Sequence, residues 1–259
     1  MICLITIKPA IMSFNGHSPF QNIPPVVKNL IIINVIMLLA TFVFGSAMRL
    51  DLNRVLGLFY FESPHFKPFQ LVTHIFMHGG ITHLFFNMFA LFMFGRVLEQ
   101  VWGSKRFFIY YFFTGIGAAV LHSMVNFIEA KSIMANLSPD QIALVKSEGA
   151  AIFMQGKNYM HSGMAALNTM LNIPTVGASG AVFGVLLAFG MYFPNTQLML
   201  LFPPIPIKAK YFVIGYGLIE LYLGFTQANS GVAHFAHLGG MIFGFILIKI
   251  WGRKRDRFY

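Results

Sequence analysis

"PTVGASGAVFGVLLAFGMYFP", residues 174 to 194, is apolar and long enough to cross a bilayer, yet it opens on a small polar turn, Gly177-Ala178-Ser179-Gly180. A hydrocarbon core demands about 20 apolar residues of helix. Five further segments approach that length, roughly 29–45, 81–99, 106–128, 209–225 and 234–251, beside 176–193 itself. The 259 residues are 57% hydrophobic and only 10% charged, with a mean hydropathy of +0.70, far from a soluble average. The chain therefore reads as an all-α polytopic membrane protein, a bundle of six transmembrane helices.

The division follows from these spans: an N-terminal cytoplasmic tail over 1–28, a membrane domain over 29–251 and a basic cytoplasmic tail over 252–259. The first long apolar run starts near Lys28, and no small-residue cleavage site closes it, so the first span is expected to be retained. Met12 is an alternative start. The single cysteine, Cys3, excludes a disulfide framework and lies outside any metal-ligand spacing. No metal and no cofactor is expected.

The net charge of +10 would suggest nucleic acid in a soluble protein, but here the cations cluster beside apolar segments. No nucleic-acid partner is expected. Of the 18 Lys and Arg, those near both termini, at 96–106 and at 208–210 fall on one side of the six-span arrangement; Arg49, Arg54, Lys67, Lys131, Lys146 and Lys157 fall on the other, nearly balanced by acids. The positive-inside rule puts both termini in the cytoplasm.

Two outside loops are more than connectors. Residues 46–72 mix charges, prolines and aromatics, a composition suited to the headgroup interface. Residues 129–175 contain "SPDQ", in which Ser138 caps a helix, Pro139 stands at its first position and Gln141 closes a capping box. A short surface helix is expected there; the Met-rich remainder up to Asn172 is unassigned.

Spans two, four and six run in the same direction, so their first turns lie in one leaflet. Span two opens with "ITHLFFNMF", which sets His83 and Asn87 on one helical face. Span four opens at Ser179, and span six carries His234 and His237 in "VAHFAHLGGMIFG". Each feature alone has a plain packing explanation: Gly180 and Gly184, like Gly240 and Gly244, form Gly-x-x-x-Gly steps for close helix contact. Their joint occurrence matches what a serine hydrolase needs. A hydroxyl needs a base near neutrality to take its proton, and the tetrahedral intermediate needs N–H donors aimed at its oxygen, each worth about 3–4 kcal/mol. Acidic residues are missing within a turn of His237, so a Ser-His dyad is expected; Glu220, near the middle of span five, is expected to lie deeper than the Ser-His level and to serve a hydrogen-bonded structural role.

On "KPFQLVTHIFMHGGITHLFFNMFALFMFGRVLEQVWGSK" (67–105), "GASGAVFGVLLAFG" (177–190) and "AHFAHLGGMIFG" (233–244), the chain resembles the rhomboid family of intramembrane serine proteases. The resemblance implies a nucleophile at Ser179 and a base at His237, the histidine followed by Gly240 and Gly244. It implies an oxyanion site lined by His83 and Asn87, support from Gly177 and Gly180, and an aromatic ring, Phe183, packed on the imidazole. His74 and His78 match further histidines before span two, and Glu99 and Gly103 resemble the family's cytoplasmic turn. The Trp-Arg pair of many members is missing after span one, where Arg49 and Arg54 stand without tryptophan.

The implied activity is hydrolysis of peptide bonds in or near transmembrane segments of membrane proteins, single-span ones in particular, with lateral access beside span five. The implied location is a bacterial inner membrane, with the site near the outer face. A catalytically silent relative that binds membrane clients for trafficking or quality control is the rival. A transporter is disfavoured because spans two, four and six carry no deeper polar relay. A zinc protease is disfavoured because His74, His78 and His83 lack a nearby carboxylate and His-Glu-x-x-His does not occur.

Overall fold

A computed structural model describes residues 3–4, 23–200, 204–226 and 233–255. Met12, Lys8 and most of the expected N-terminal tail lie outside the described residues, as do residues 256–259 with Arg257. All six expected segments are helices: α1 (Pro25–Met48), then α4 (Ile81–Ala90) running through a π-helical turn (Leu91–Gly95) into α5 (Arg96–Trp102), α6 (Ser104–Ala135), α9 (Ser179–Tyr192), α10 (Ala209–Thr226) and α11 (His234–Arg255). Four stretches, Pro25–Met48, Ile81–Trp102, Ser104–Ala135 and His234–Gly252, are long and apolar enough to cross a membrane. With almost no sheet, the chain is an all-helical membrane bundle.

Two expectations on span length need correction. Helix α9 has 14 residues, about 21 Å at 1.5 Å per residue, well short of a core about 30 Å thick. Residues 176–178, expected at its start, instead belong to a non-helical loop over 174–178 that leads into Ser179. Helix α6 is longer than expected, 32 residues ending at Ala135, so the first part of the supposed 129–175 loop continues the span.

The rest of 129–175 folds as a helical hairpin, α7 (Pro139–Met154) and α8 (Ser162–Asn172). The expected capping box at Ser138 is formed, with the Gln141 N–H donating to the Ser138 hydroxyl and the Gln141 side chain accepting the Ser138 N–H. Its small core of Val145, Met164, Leu167 and Leu171 packs with Tyr60 and Ala130 apart from the main core. Loop 46–72 contains α2 (Leu52–Leu56), followed by α3 (Gln70–Thr73) at its end. Buried Gln70 holds it together: its Oε1 accepts the Phe59 and Lys67 N–H groups, and its amide donates to the Val55 and His65 carbonyls. Ser63 Oγ donates to the Leu171 carbonyl at 2.6 Å, joining the loop to the hairpin.

At the opposite end a small antiparallel sheet not foreseen from sequence pairs β1 (Cys3–Leu4) with β2 (Gln197–Leu200) and β2 with β3 (Pro206–Lys208). Glu99, 1% exposed, accepts the Val26 and Val27 N–H groups at 2.9 and 2.8 Å and the Ser104 hydroxyl at 2.7 Å. A carboxylate there satisfies orphan donors and complements the positive end of the α1 dipole. Gly103, at φ 78°, turns the chain from α5 into α6 beside it.

Helices α6, α9 and α11 form the centre of the bundle. Their contact runs through small residues. A Cβ added to Gly240 would collide with the Gly180 carbonyl, and one added to Gly239 would stand 2.9 Å from the Ala118 Cα. The Tyr110 hydroxyl donates to the Gly184 carbonyl at 2.8 Å across the α6–α9 seam. Gly240→Ala is therefore expected to lower thermal stability in detergent by about 1–3 kcal/mol through overpacking against backbone. Both tryptophans, Trp102 and Trp251, pack together at the far end of α11, so intrinsic fluorescence follows the transition. An unchanged midpoint would mean that the seam yields without cost. Glu99→Gln, which loses charge-assisted bonds to buried donors, is expected to cost about 1–3 kcal/mol in the same assay.

Candidate active site

Ser179 is the first residue of α9, where backbone N–H groups lack intrahelical partners. The loop before it is tied on both sides. Thr175 pairs with Leu58 through two 2.8 Å backbone bonds, and the Gly177 N–H donates to the His74 carbonyl at 3.0 Å. Gly177 sits at φ 136°, and any Cβ there would meet the His83 ring at 2.8 Å, so both conformation and space require glycine.

His237, in the first turn of α11, reaches across the glycine seam, with Nε2 at 2.8 Å from Ser179 Oγ. Its imidazole lies flat on Phe183, with centroids 4.2 Å apart and planes 4° off parallel. One turn down α9 from Ser179, that ring fixes the imidazole plane without offering a hydrogen bond.

A carboxylate adjoins the Ser179–His237 pair. Glu220 Oε2 lies 2.9 Å from His237 Nδ1 and 2.7 Å from His234 Nδ1. Glu220, His234 and His237 are all buried. Glu220 is thus level with the Ser-His pair, not deeper. Short α9 begins below the bundle end, and Glu220 stands six residues before the last residue of α10, about 9 Å along the axis. The three side-chain donors lie within 4.8 Å of one another, a set able to hold a cation; at these distances they also satisfy each other directly.

His83 and Asn87, on consecutive turns of α4, line the same cavity as Ser179 and His237. The Gly79 N–H points to His83 Nδ1 at 3.4 Å, a long hydrogen bond. With Nδ1 accepting, a neutral His83 carries its proton on Nε2, the nitrogen that faces Gly177 beside Ser179. Asn87 donates one amide hydrogen to the His83 carbonyl at 2.9 Å, which orients the amide along the helix. His78 packs edge-on against His83. Burial keeps both His74 and His78 neutral, lowering each to about 4. Of the glycines named from sequence, Gly177 shapes the loop, whereas Gly180, Gly240 and Gly244 set the helix spacing.

The cavity measures about 730 Å³ and its lining is of two kinds. Polar side chains from α6 and α8, His122, Asn126, Glu129 and Thr169, line it together with aromatic and apolar ones from α4, the π-helical turn and α10, Phe86, Phe89, Met93, Phe212 and Tyr216. His122 Nε2 is 2.9 Å from Thr175 Oγ1 and 3.3 Å from Asn126 Nδ2. The sequence reading missed His122, Asn126 and Thr175, since single polar residues in a long helix and a loop carry no spacing signal. Glu220 was visible, but only its depth in the fold reveals its partner.

By geometry this is a membrane-helix bundle in which a helix-N-terminal serine, a histidine and a carboxylate are joined by hydrogen bonds inside a cavity. The rhomboid domain family model matches residues 65–254, and the chain belongs to the rhomboid family. It is 26% identical over 190 residues to the putative rhomboid protease YdcA of Bacillus subtilis, covering 73% of this chain and 70% of that one. It is 28% identical over 183 residues to the rhomboid protease GluP of B. subtilis, covering 71% of this chain but 26% of the relative. To the rhomboid protease AarA of Providencia stuartii it is 28% identical over 181 residues, covering 66% and 51%. At the level of the family, intramembrane proteolysis of membrane proteins is the activity.

The stacking of Phe183 on His237 generates an expectation independent of any substrate. Phe183→Ala leaves the imidazole free to rotate, and labelling of Ser179 by a fluorophosphonate is expected to slow about tenfold or more, whereas Phe183→Tyr retains most of the rate. Equal rates for wild type and Phe183→Ala would deny the ring this role.

Proposed function

We propose that this chain is an intramembrane serine endopeptidase in which Ser179 is the nucleophile and His237 its general base. The observation that carries the reading is the 2.8 Å contact between Ser179 Oγ and His237 Nε2 at the start of a buried helix. His237 Nε2 takes the hydroxyl proton as Ser179 Oγ attacks the scissile carbonyl carbon. The negative oxygen of the tetrahedral intermediate accepts hydrogen bonds from the Ser179 N–H, the Asn87 amide and His83 Nε2–H. The leaving amine takes the proton from His237, and a water activated by the same nitrogen then hydrolyses the acyl-enzyme.

The two kinds of lining support separate routes. The groups at His122 and Asn126 are polar and suited to water. The aromatic and apolar side chains contributed by α4 and α10 suit a peptide arriving from lipid. Because amides of a membrane helix are already paired, a substrate must unwind locally before its backbone reaches Ser179. Single-span membrane proteins with small or helix-weakening residues near the scissile bond fit this requirement. The loop cation balance supports cytoplasmic termini and a site near the outer face, as in a bacterial inner membrane.

Purified protein tests the reading with a transmembrane reporter and a fluorophosphonate probe. Ser179→Ala and His237→Ala are expected to abolish both cleavage and labelling; cleavage by Ser179→Ala at the wild-type rate would remove Ser179 as nucleophile. Asn87→Ala is expected to lower kcat by about ten- to a thousandfold while Ser179 still labels, as for loss of one oxyanion donor. Unchanged turnover excludes Asn87 from the site. A silent, client-binding relative would leave the reporter intact in wild type as well.

A further inference from the structure

We infer that Glu220 is a positioning residue that makes the Ser179–His237 pair the working end of a Ser–His–Glu triad, with His234 as a second donor on the same carboxylate oxygen. This rests on the protease reading. The specific observation is which atom Glu220 touches. Its Oε2 is 2.9 Å from His237 Nδ1, the ring nitrogen opposite the one that meets Ser179 at 2.8 Å. An ionised carboxylate only accepts hydrogen bonds, so the His237 proton is held on Nδ1 and the Nε2 lone pair is left facing the hydroxyl. That is the tautomer a general base needs. When Nε2 takes the Ser179 proton, the imidazolium forms beside a negative charge already in place, and the carboxylate itself gives up and receives no proton.

His234 deepens the arrangement. Its Nδ1 stands 2.7 Å from the same Oε2, and its ring lies 88° to that of His237 with centroids 6.4 Å apart. Two N–H donors on one oxygen help hold the carboxylate ionised away from water, where an uncompensated charge would be expensive. They also pin its position: Glu220 comes from α10 and both histidines from α11, so the bonds cross the seam between those helices. A carboxylate serving only to join α10 and α11 would be satisfied by His234 alone. Its second bond to the back of the base is what a helix-joining role leaves unexplained.

The experiment compares full-length wild type, Glu220→Gln, Glu220→Asp, His234→Ala and Ser179→Ala in detergent micelles, measuring reporter cleavage, the rate constant for fluorophosphonate labelling and the fraction labelled at saturation. Glu220→Gln keeps the volume and removes the charge. Its kcat and labelling rate constant are expected to fall together by about 10²–10³-fold, with KM changed less than about threefold and saturation labelling retained. Glu220→Asp, charged but one methylene short, is expected to fall between Gln and wild type, and His234→Ala to lose about tenfold or less. A labelling rate constant within about threefold of wild type in Glu220→Gln overturns the proposal, as does a lower labelled fraction at an unchanged rate constant, which marks a folding role alone.

If the glutamate variants do not fold, the tautomer of His237 in ¹⁵N-histidine-labelled wild type decides. A proton on Nδ1 that exchanges slowly supports the triad, and one on Nε2 overturns it. Ser179→Ala separates the two levels of inference. Cleavage surviving that change sinks the protease reading, whereas loss of cleavage there with an active Glu220→Gln sinks the triad alone.

Discussion

Everything at the candidate site depends on how closely α11 approaches α9 and α6. Lipid tails are as apolar as the helices they surround, so no hydrophobic gain draws membrane helices together; close packing of small residues and a few interhelical hydrogen bonds must do it. Packed helices normally lie 8–10 Å apart. Gly240 faces the Gly180 carbonyl and Gly180 faces the Ala118 side chain with no room for a Cβ at either glycine. His237 lies one turn before Gly240, and Ser179 immediately precedes Gly180. The 2.8 Å contact between their side chains is therefore a direct consequence of glycine packing, not an addition to it. The packing and catalytic explanations of these residues, which compete when the sequence is read alone, describe one seam.

The same closeness explains why a carboxylate can sit here. Between long apolar side chains Glu220 would have to neutralise itself or leave. On α10, opposite the first turn of α11, it finds two imidazole donors within 2.9 Å. Glu220 thus joins α10 to the central helices through polar contacts at the level of the site. Tyr216, one turn earlier on α10, packs against Phe183 with centroids 4.9 Å apart and planes tilted by 55°, so α10 contributes to the site by packing as well as by charge.

How much of this was legible follows from the kind of signal involved. Hydropathy located all six helical segments, because each is an apolar run, although α9 is shorter than a bilayer core demands. Spacing and the family resemblance together singled out Ser179, His83, Asn87 and His237, four residues that line one cavity, because their neighbours on one helix face or in one glycine step constrain them. Depth was not legible. The small polar turn in "PTVGASG" was visible, but not that the loop before α9 sets Ser179 level with Glu220 of another helix. The dyad expected from sequence rested on counting acids near His237 along the chain, whereas the partner comes from another helix. Cross-helix partners such as Glu99 with the start of α1, or His122 with Thr175, leave no periodic trace either. The capping box at Ser138 was readable for the opposite reason, since all of its atoms lie within four residues.

The hairpin of α7 and α8 lengthens the connection from α6 to α9 and leads directly into the loop before Ser179. Its last helix ends at Asn172, and the next residues form the loop that delivers Ser179. That loop is held by Thr175 on Leu58, by Gly177 on the His74 carbonyl and by the Thr175 hydroxyl on His122. Ser63 on the Leu171 carbonyl and Gln70 within its own loop keep the counterpart rigid. A loop lowered into a bundle must satisfy its exposed N–H and C=O groups with protein, because lipid offers none. Leu58 of the 46–72 loop, His74 just after it and His122 of α6 supply those partners, while the hairpin braces the 46–72 loop through the Leu171 carbonyl, so the non-helical course of 174–178 is held from both sides.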